Sequence, residues 1–159
     1  MNLKVNRFIQ NAVYTALYVA LCAVFAPISF SMVQVRVAEA LCIMPLFDEM
    51  AIISVSLGCF ISNIIYGNVI DAIFGTFATF IGLLCIKFIK KDNFFLKMLP
   101  TIVSNTIIIP FVLKYAYGLV EVPIILSAMF IAIGEIISIY LLGFLLYKAI
   151  LKLKEKHIV

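Results

Sequence analysis

The sequence has little of what a water-soluble protein needs. Only 13% of its 159 residues are Asp, Glu, Lys or Arg, whereas 65% are hydrophobic. A soluble domain has about half of its residues apolar and about a quarter charged, so this composition excludes one. The apolar residues also follow one another in runs long enough to cross a hydrocarbon core of about 30 Å. The sequence therefore indicates an integral membrane protein.

Residues that carry most catalytic and redox chemistry are also scarce. The one histidine, His157, lies in the basic C-terminal tail, and no GxxxxGK[ST] phosphate-binding loop occurs. The cysteines lie far apart inside apolar runs, without the spacing of a metal or redox site, so we expect them to pack as small hydrophobic side chains. They are Cys22, Cys42, Cys59 and Cys85. We therefore predict that the chain is not an enzyme and has no catalytic residue, bound metal or cofactor, and that it binds no nucleic acid.

The apolar runs predict an all-α bundle of six transmembrane helices in a single domain, residues 1–159. The predicted segments are residues 8–26, 38–47, 50–66, 71–87, 99–117 and 121–148. The second segment is too short to cross a bilayer at 1.5 Å per residue. We expect it either to start from a loop that dips into the bundle or to lie strongly tilted, because irregular backbone at that depth is tolerated only against protein or a cavity.

The basic residues predict the orientation of the bundle. With six crossings, ten of the twelve fall on one side, and only Arg36 and Lys114 fall on the other. Because cytoplasmic connections carry an excess of Lys and Arg, we expect both termini in the cytoplasm of a multi-pass cell-membrane protein. Asn68, Asp71 and Glu121 would then lie on the outside.

Arg36 and Glu39 interrupt the apolar sequence VQVRVAEALCIMPL at residues 33–46. If the segment from Ala38 is helical, Glu39 lies in its first turn, where the helix dipole favours a carboxylate. The alternative is an interfacial salt bridge, which would contribute little to stability. The residues of this stretch do not by themselves decide between the two.

Glu135 lies halfway through the sixth span, where a carboxylate costs about 2.5 to 3.5 kcal/mol on insertion scales. We therefore expect it to face the bundle interior and to have a partner. Asn63, Asp71 and Asn105 lie on helical stripes that can all face inward with it. A network of interhelical hydrogen bonds is the alternative, but such bonds average well under 1 kcal/mol each, so a ligand site is the better explanation.

Ala12, Ala16 and Ala20 form a stripe of small residues on the first span. Such a stripe lets another helix approach closely. The neighbour could belong to the bundle itself or to another protein, and the spacing does not distinguish them.

Four motifs together resemble the QueT family, whose members are S-components of energy-coupling factor (ECF) transporters and are associated with uptake of queuosine precursors. The motifs are VRVAEAL at residues 35–41 with Pro45, Asp71 with FGTFATFIG at 74–82, Pro100 with Asn105, and AIGE at 132–135. The similarity covers residues 11–146, nearly the whole chain. Lys114 is a departure from it that the sequence does not explain.

The resemblance implies a bundle that captures its ligand outside and passes it across the membrane with a T-component and two ATPase subunits. It also implies that the alanine stripe is the surface on which the T-component docks. The alternatives are an S-component for another vitamin-like or purine-like ligand, a stand-alone carrier or channel, and a purely structural membrane subunit. Uptake with and without the ECF subunits separates a carrier from an S-component.

The implied ligand, a 7-deazaguanine such as preQ1 or queuine, suggests a role for each buried polar residue. Its edge offers N–H donors that Glu135 or Glu39 can accept in pairs, and a carbonyl that suits an amide or a guanidinium. A second carboxylate, Asp71, could meet the ammonium of an aminomethyl substituent. The residues that could serve the carbonyl are Asn105, Asn63, Gln34 and Arg36.

Overall fold

The computed structural model describes residues 3–29, 34–116, 118 and 122–156, and all regular structure within these residues is helical. The α-helices are α1 (Leu3–Val24), α2 (Ala26–Ser29), α3 (Ala51–Tyr66), α4 (Val69–Cys85), α5 (Phe94–Ala116), α6 (Ile124–Glu135) and α7 (Phe144–Lys156). A 3₁₀ segment, Val37–Leu46, precedes α3, and a short 3₁₀ turn, Ile86–Phe88, follows α4. A π segment, Ile136–Gly143, joins α6 to α7. The all-α class is confirmed.

Four helical stretches of the described residues are long and apolar enough to cross a membrane. They are Arg7–Val24, Val69–Phe88, Phe94–Tyr115 and Ile124–Lys156. Two further apolar helices, Val37–Leu46 and Ala51–Tyr66, are shorter. These lengths fit a multi-pass membrane protein.

Several predicted helix boundaries are shifted in the structure, and the first and fourth helices begin earlier, at Leu3 and Val69. The fifth helix begins at Phe94 rather than at residue 99, because Oδ1 of Asn93 accepts a hydrogen bond from the backbone N–H of Leu96 at 3.2 Å and caps the helix. The first helix ends at Val24, and Pro27 lies in α2. The predicted end of the fifth span at Tyr117 and the start of the sixth at Glu121 lie outside the described residues.

Apolar side chains cover the outside of the bundle and polar side chains lie within it. Ile125 and Phe8, for example, are 77% and 73% exposed, as lipid-facing residues are. The stripe predicted on α4 is buried at every position, and it consists of Asp71, Gly75, Thr79 and Gly82. The inward orientation predicted for the polar stripe of this helix is therefore confirmed.

The 3₁₀ segment Val37–Leu46 is enclosed by protein. Its residues from Ala38 to Met44 are all buried, and it packs mainly against the π segment and α1. Gly143 permits this approach, since a Cβ there would lie only 3.2 Å from Cγ2 of Ile43. Runs of 3₁₀ helix longer than four residues are uncommon, so surrounding helices hold this segment in a conformation that it would not keep alone.

Three contacts bring distant parts of the chain to the same end of the bundle. Nδ2 of Asn11 donates to Oδ2 of Asp48 at 3.0 Å. Lys87 forms a salt bridge of 2.8 Å with Glu49, and Nζ of Lys154 lies 4.6 Å from the ring centroid of Phe47. The first half of α1, the connection before α3, the 3₁₀ turn after α4 and the end of α7 therefore lie together.

Candidate functional site

The polar residues singled out in the sequence are all removed from solvent and lipid. Their exposed fractions range from 0% to 8%, and the residues are Gln34, Arg36, Glu39, Asn63, Asp71, Asn105 and Glu135. They come from six parts of the chain: the loop before the 3₁₀ segment, that segment itself, and helices α3, α4, α5 and α6. Burying so many polar side chains is costly unless they are hydrogen-bonded or serve a ligand.

Both carboxylate oxygens of Glu39 already have protein donors. The hydroxyl of Tyr18 donates to Oε1 at 2.6 Å, and the thiol of Cys42 donates to Oε2 at 2.8 Å. The second bond follows from the local winding, because side chains three residues apart eclipse each other in a 3₁₀ helix. Sequence reasoning identified Glu39 but missed both donors. Cys42 follows Glu39 by three residues, and this spacing makes the two side chains eclipse each other only in a 3₁₀ helix. The sequence alone did not indicate that winding.

Glu135 differs from Glu39 in having one oxygen that no described residue contacts by a hydrogen bond. Nδ2 of Asn105 donates to Oε1 at 3.1 Å, whereas Oε2 is buried and has no hydrogen-bond partner among the described residues. The side chain is the last of α6, directly before the π segment. Such π segments occur frequently at functional sites. A buried carboxylate oxygen left unpaired is costly, so this atom is a candidate acceptor for a ligand.

Arg36 is the buried cation of the candidate site. It is 5% exposed, and its Nη2 donates to Oε1 of Gln34 at 3.1 Å. Glu39, Asp71 and Glu135 are buried as well. The buried residues of the candidate site thus include three carboxyl groups and one guanidinium.

Gln34 has a backbone conformation that supports the assignment of this loop to the site. Its φ of 48° lies in the left-handed region, which few residues other than glycine adopt. Backbone strain of this kind is concentrated at ligand sites and switch regions, where the surrounding structure compensates for it. The strained residue is also the one whose amide oxygen receives Arg36.

Asn63 connects α3 to α4 through the nitrogen of its side-chain amide. Its Nδ2 donates to the backbone oxygen of Asp71 at 3.2 Å. A Cβ at Gly75 would lie 2.9 Å from the same nitrogen, so the glycine makes room for the amide. Asn68 caps α4 by accepting from the backbone N–H of Asp71 at 2.9 Å. Asp71 is thereby held at the start of α4.

Lys114 now has a local explanation. It lies in the last turn of α5, where the helix dipole favours a cation. Its Nζ is 5.8 Å from the ring centroid of Tyr115, a favourable cation–π distance. These two contacts account for a charge near the end of a span.

The alanine stripe faces away from the bundle. Ala12, Ala16 and Ala20 are exposed and lie along an open groove of about 640 Å³ between α1 and α3. Polar contacts hold the two helices together beneath it: Oγ of Ser54 donates to Oδ1 of Asn11 at 2.6 Å, and Thr15 donates to the backbone oxygen of Ser54 at 2.9 Å. We define this surface as the alanine groove.

Comparisons with known proteins agree with the motifs noted in the sequence. A model of the family described as QueT transporter matches residues 8–152. The chain is 29% identical to the "Queuosine precursor transporter QueT" of Lactococcus lactis subsp. cremoris (strain MG1363), over 91% of this chain and 92% of that protein. No solved structure matches the chain.

Proposed function

This chain belongs to the QueT transporter family, and from that premise we propose that it is the substrate-binding S-component of an ECF-type ABC importer. It captures a queuosine precursor from outside the cell, a 7-deazaguanine such as preQ1 or queuine. A T-component and two ATPase subunits then complete the transport cycle, and ATP hydrolysis belongs to those subunits. The name of the Lactococcus lactis protein supports the ligand class.

The observation that carries this proposal is Oε2 of Glu135, which has no hydrogen-bond partner in the described part of the chain and lies inside a cluster of buried polar groups. A deazaguanine edge presents adjacent N–H donors, which a carboxylate accepts well. Glu39 is the weaker candidate for this role, because Tyr18 and Cys42 already donate to both of its oxygens. We therefore assign the donor edge of the ligand to Glu135, with Asn105 beside it.

The remaining polar groups fit the rest of the ligand. The amides of Asn105, Asn63 and Gln34 and the guanidinium of Arg36 are the candidate partners for the ligand carbonyl. Asp71, at the start of α4, is the candidate partner for an ammonium substituent. The excess of carboxyl groups over guanidinium groups among these buried residues favours a cationic ligand over a neutral one.

The cationic deazaguanine should bind more tightly than its neutral analogue. We expect preQ1, which carries an aminomethyl group, to bind about tenfold more tightly than the 7-cyano compound, equivalent to about 1.4 kcal/mol. Replacing Asp71 with asparagine should narrow this difference, because the ammonium loses a charged partner. Calorimetric titration of the purified protein with both ligands measures the two affinities.

The control for this titration is Asp92→Asn. The side chain of Asp92 is 93% exposed, in a salt bridge with Lys97, so its replacement should leave the ratio of affinities unchanged. Equal affinities of the wild-type protein for the amine and the nitrile would refute the role of Asp71 in ammonium recognition.

We further propose that the single domain crosses the membrane six times with both termini in the cytoplasm. The common location of Asp48, Lys87 and Lys154 at one end of the bundle supports an even number of crossings. The 3₁₀ segment then counts as the second, incomplete crossing. The distribution of Lys and Arg supports the orientation.

Cysteine labelling tests this topology. In a Cys85→Ser background, which removes the one native cysteine that is not buried, Asn68→Cys should react with an impermeant maleimide on intact cells. Lys91→Cys should react only after the cells are permeabilised. Labelling of both positions from the same side would rule out six crossings.

Uptake measurements test the function itself. Cells that contain this chain and its ECF subunits should accumulate labelled preQ1, whereas cells that lack the T-component should not. Uptake by this chain alone would instead identify a stand-alone carrier. Binding of another purine in preference to every deazaguanine would keep the S-component role but change the ligand.

A further inference from the structure

Tyr18 lies between the alanine groove and the buried carboxylate cluster. It is 1% exposed, and at 100° per residue it lies about 160° around α1 from both Ala16 and Ala20. The same helix therefore presents its small residues outward and this phenol inward. A side chain in that position is attached directly to the helix that forms one wall of the groove.

The position of Tyr18 is fixed by close packing against α3. A Cβ at Gly58 would lie 2.7 Å from Cβ of Tyr18 and 3.2 Å from the backbone oxygen of Thr15. Closely packed side chains have little room to adjust independently of the backbone. A rotation or tilt of α1 must therefore displace the phenol.

The phenol reaches the ligand site through Glu39. Its hydroxyl donates to Oε1 of Glu39 at 2.6 Å, between residues 21 positions apart in the chain. Glu39 lies on the 3₁₀ segment, which packs mainly against the π segment that begins directly after Glu135. A ligand contact at Oε2 of Glu135 thus acts on the segment that carries the acceptor of the Tyr18 hydrogen bond.

We infer that Tyr18 is a positioning residue that couples ligand binding at the carboxylate cluster to docking of the T-component on the alanine groove. This inference rests on the proposed function. A ligand that donates to Glu135 alters the packing of the π segment against the 3₁₀ segment that carries Glu39, and with it the strength of the Tyr18 hydrogen bond that fixes α1. Coupling between two sites is reciprocal. The factor by which the ligand changes the affinity for the T-component is therefore the factor by which docking changes the affinity for the ligand.

The test is a ligand titration in the presence and absence of the docking partner. preQ1 is titrated into the wild-type protein in nanodiscs, first alone and then with the purified T-component and ATPase subunits of the same organism. We expect the partner to change the affinity of the wild-type protein for preQ1 by about fivefold or more. About fivefold is the lower end of the coupling usually found between two sites. Tyr18→Phe should reduce the shift to less than about twofold, since the hydrogen bond that transmits it is lost.

Two variants serve as matched controls. Tyr14→Phe makes the same chemical change one turn earlier on α1, where the hydroxyl accepts a bond from exposed Gln10, and should keep the wild-type shift. Cys42→Ala removes the other donor to Glu39 without altering α1. It should also keep the shift, whatever it does to the affinity itself.

The outcomes separate this inference from the proposed function. If the partner shifts the preQ1 affinity of Tyr18→Phe as much as that of the wild-type protein, the inference is wrong. It is also wrong if all three variants lose this shift equally. Should Tyr18→Phe fail to fold, Glu39→Gln, which keeps the phenol and weakens its acceptor, must lose the shift instead. A wild-type protein that binds preQ1 with no effect of the partner overturns the coupling alone. A wild-type protein that binds no deazaguanine overturns the proposed function.

Discussion

Replacing Glu135 with glutamine should weaken preQ1 binding by about thirtyfold or more. Removing one partner from a buried charged pair costs about 2 to 5 kcal/mol, and thirtyfold corresponds to about 2 kcal/mol. Glutamine keeps the shape of the side chain and can still accept the bond from Asn105. However, it removes the charge, and its amide group places a donor against the donors of the ligand. Calorimetric titration of the purified variant measures the change.

Glu155→Gln is the matched control for this experiment. Glu155 lies on α7, which continues from α6 through the π segment, and it is exposed. The same substitution there should leave the affinity unchanged. A Glu135→Gln protein that binds preQ1 like the wild type would show that the buried cluster is not the ligand pocket.

Replacing Ala16 with tryptophan should abolish uptake and leave ligand affinity within about threefold of the wild type, a difference of less than about 0.7 kcal/mol. Ala16 is exposed in the alanine groove, so the indole fits without a clash inside the bundle. It would instead fill the space that close approach of a partner helix requires. Uptake of labelled preQ1 by cells with the complete transporter is compared with titration of the purified protein.

Ala149→Trp provides the control, because Ala149 is also exposed but lies on α7, outside the groove. It should reduce neither uptake nor affinity. If Ala16→Trp lowers affinity as much as uptake, the groove is not the docking surface of the T-component. The substitution would then be acting through packing within the bundle.

The inward orientation of the predicted site residues follows from the sequence because it depends on local properties. A carboxylate inside an apolar span must be turned away from lipid whatever the tertiary structure is, and helical periodicity tells which neighbours share its face. Glu135 and the stripe that begins at Asp71 were therefore predicted to face inward, and the structure buries them. The roles of these residues in ligand binding remain predictions.

The chain's all-helical, membrane-spanning character was likewise determined by the sequence alone, through composition and the length of the apolar runs. Tertiary structure decided the differences among the polar residues. Glu39 receives Tyr18 from 21 positions away, and Glu135 receives Asn105 from 30 positions away. Only packing of distant helices decides which oxygen obtains a donor and which, like Oε2 of Glu135, has none among the described residues. The 3₁₀ winding that pairs Cys42 with Glu39 and the outward orientation of the alanine stripe depend on neighbouring helices in the same way, because a local pattern does not specify what lies against it.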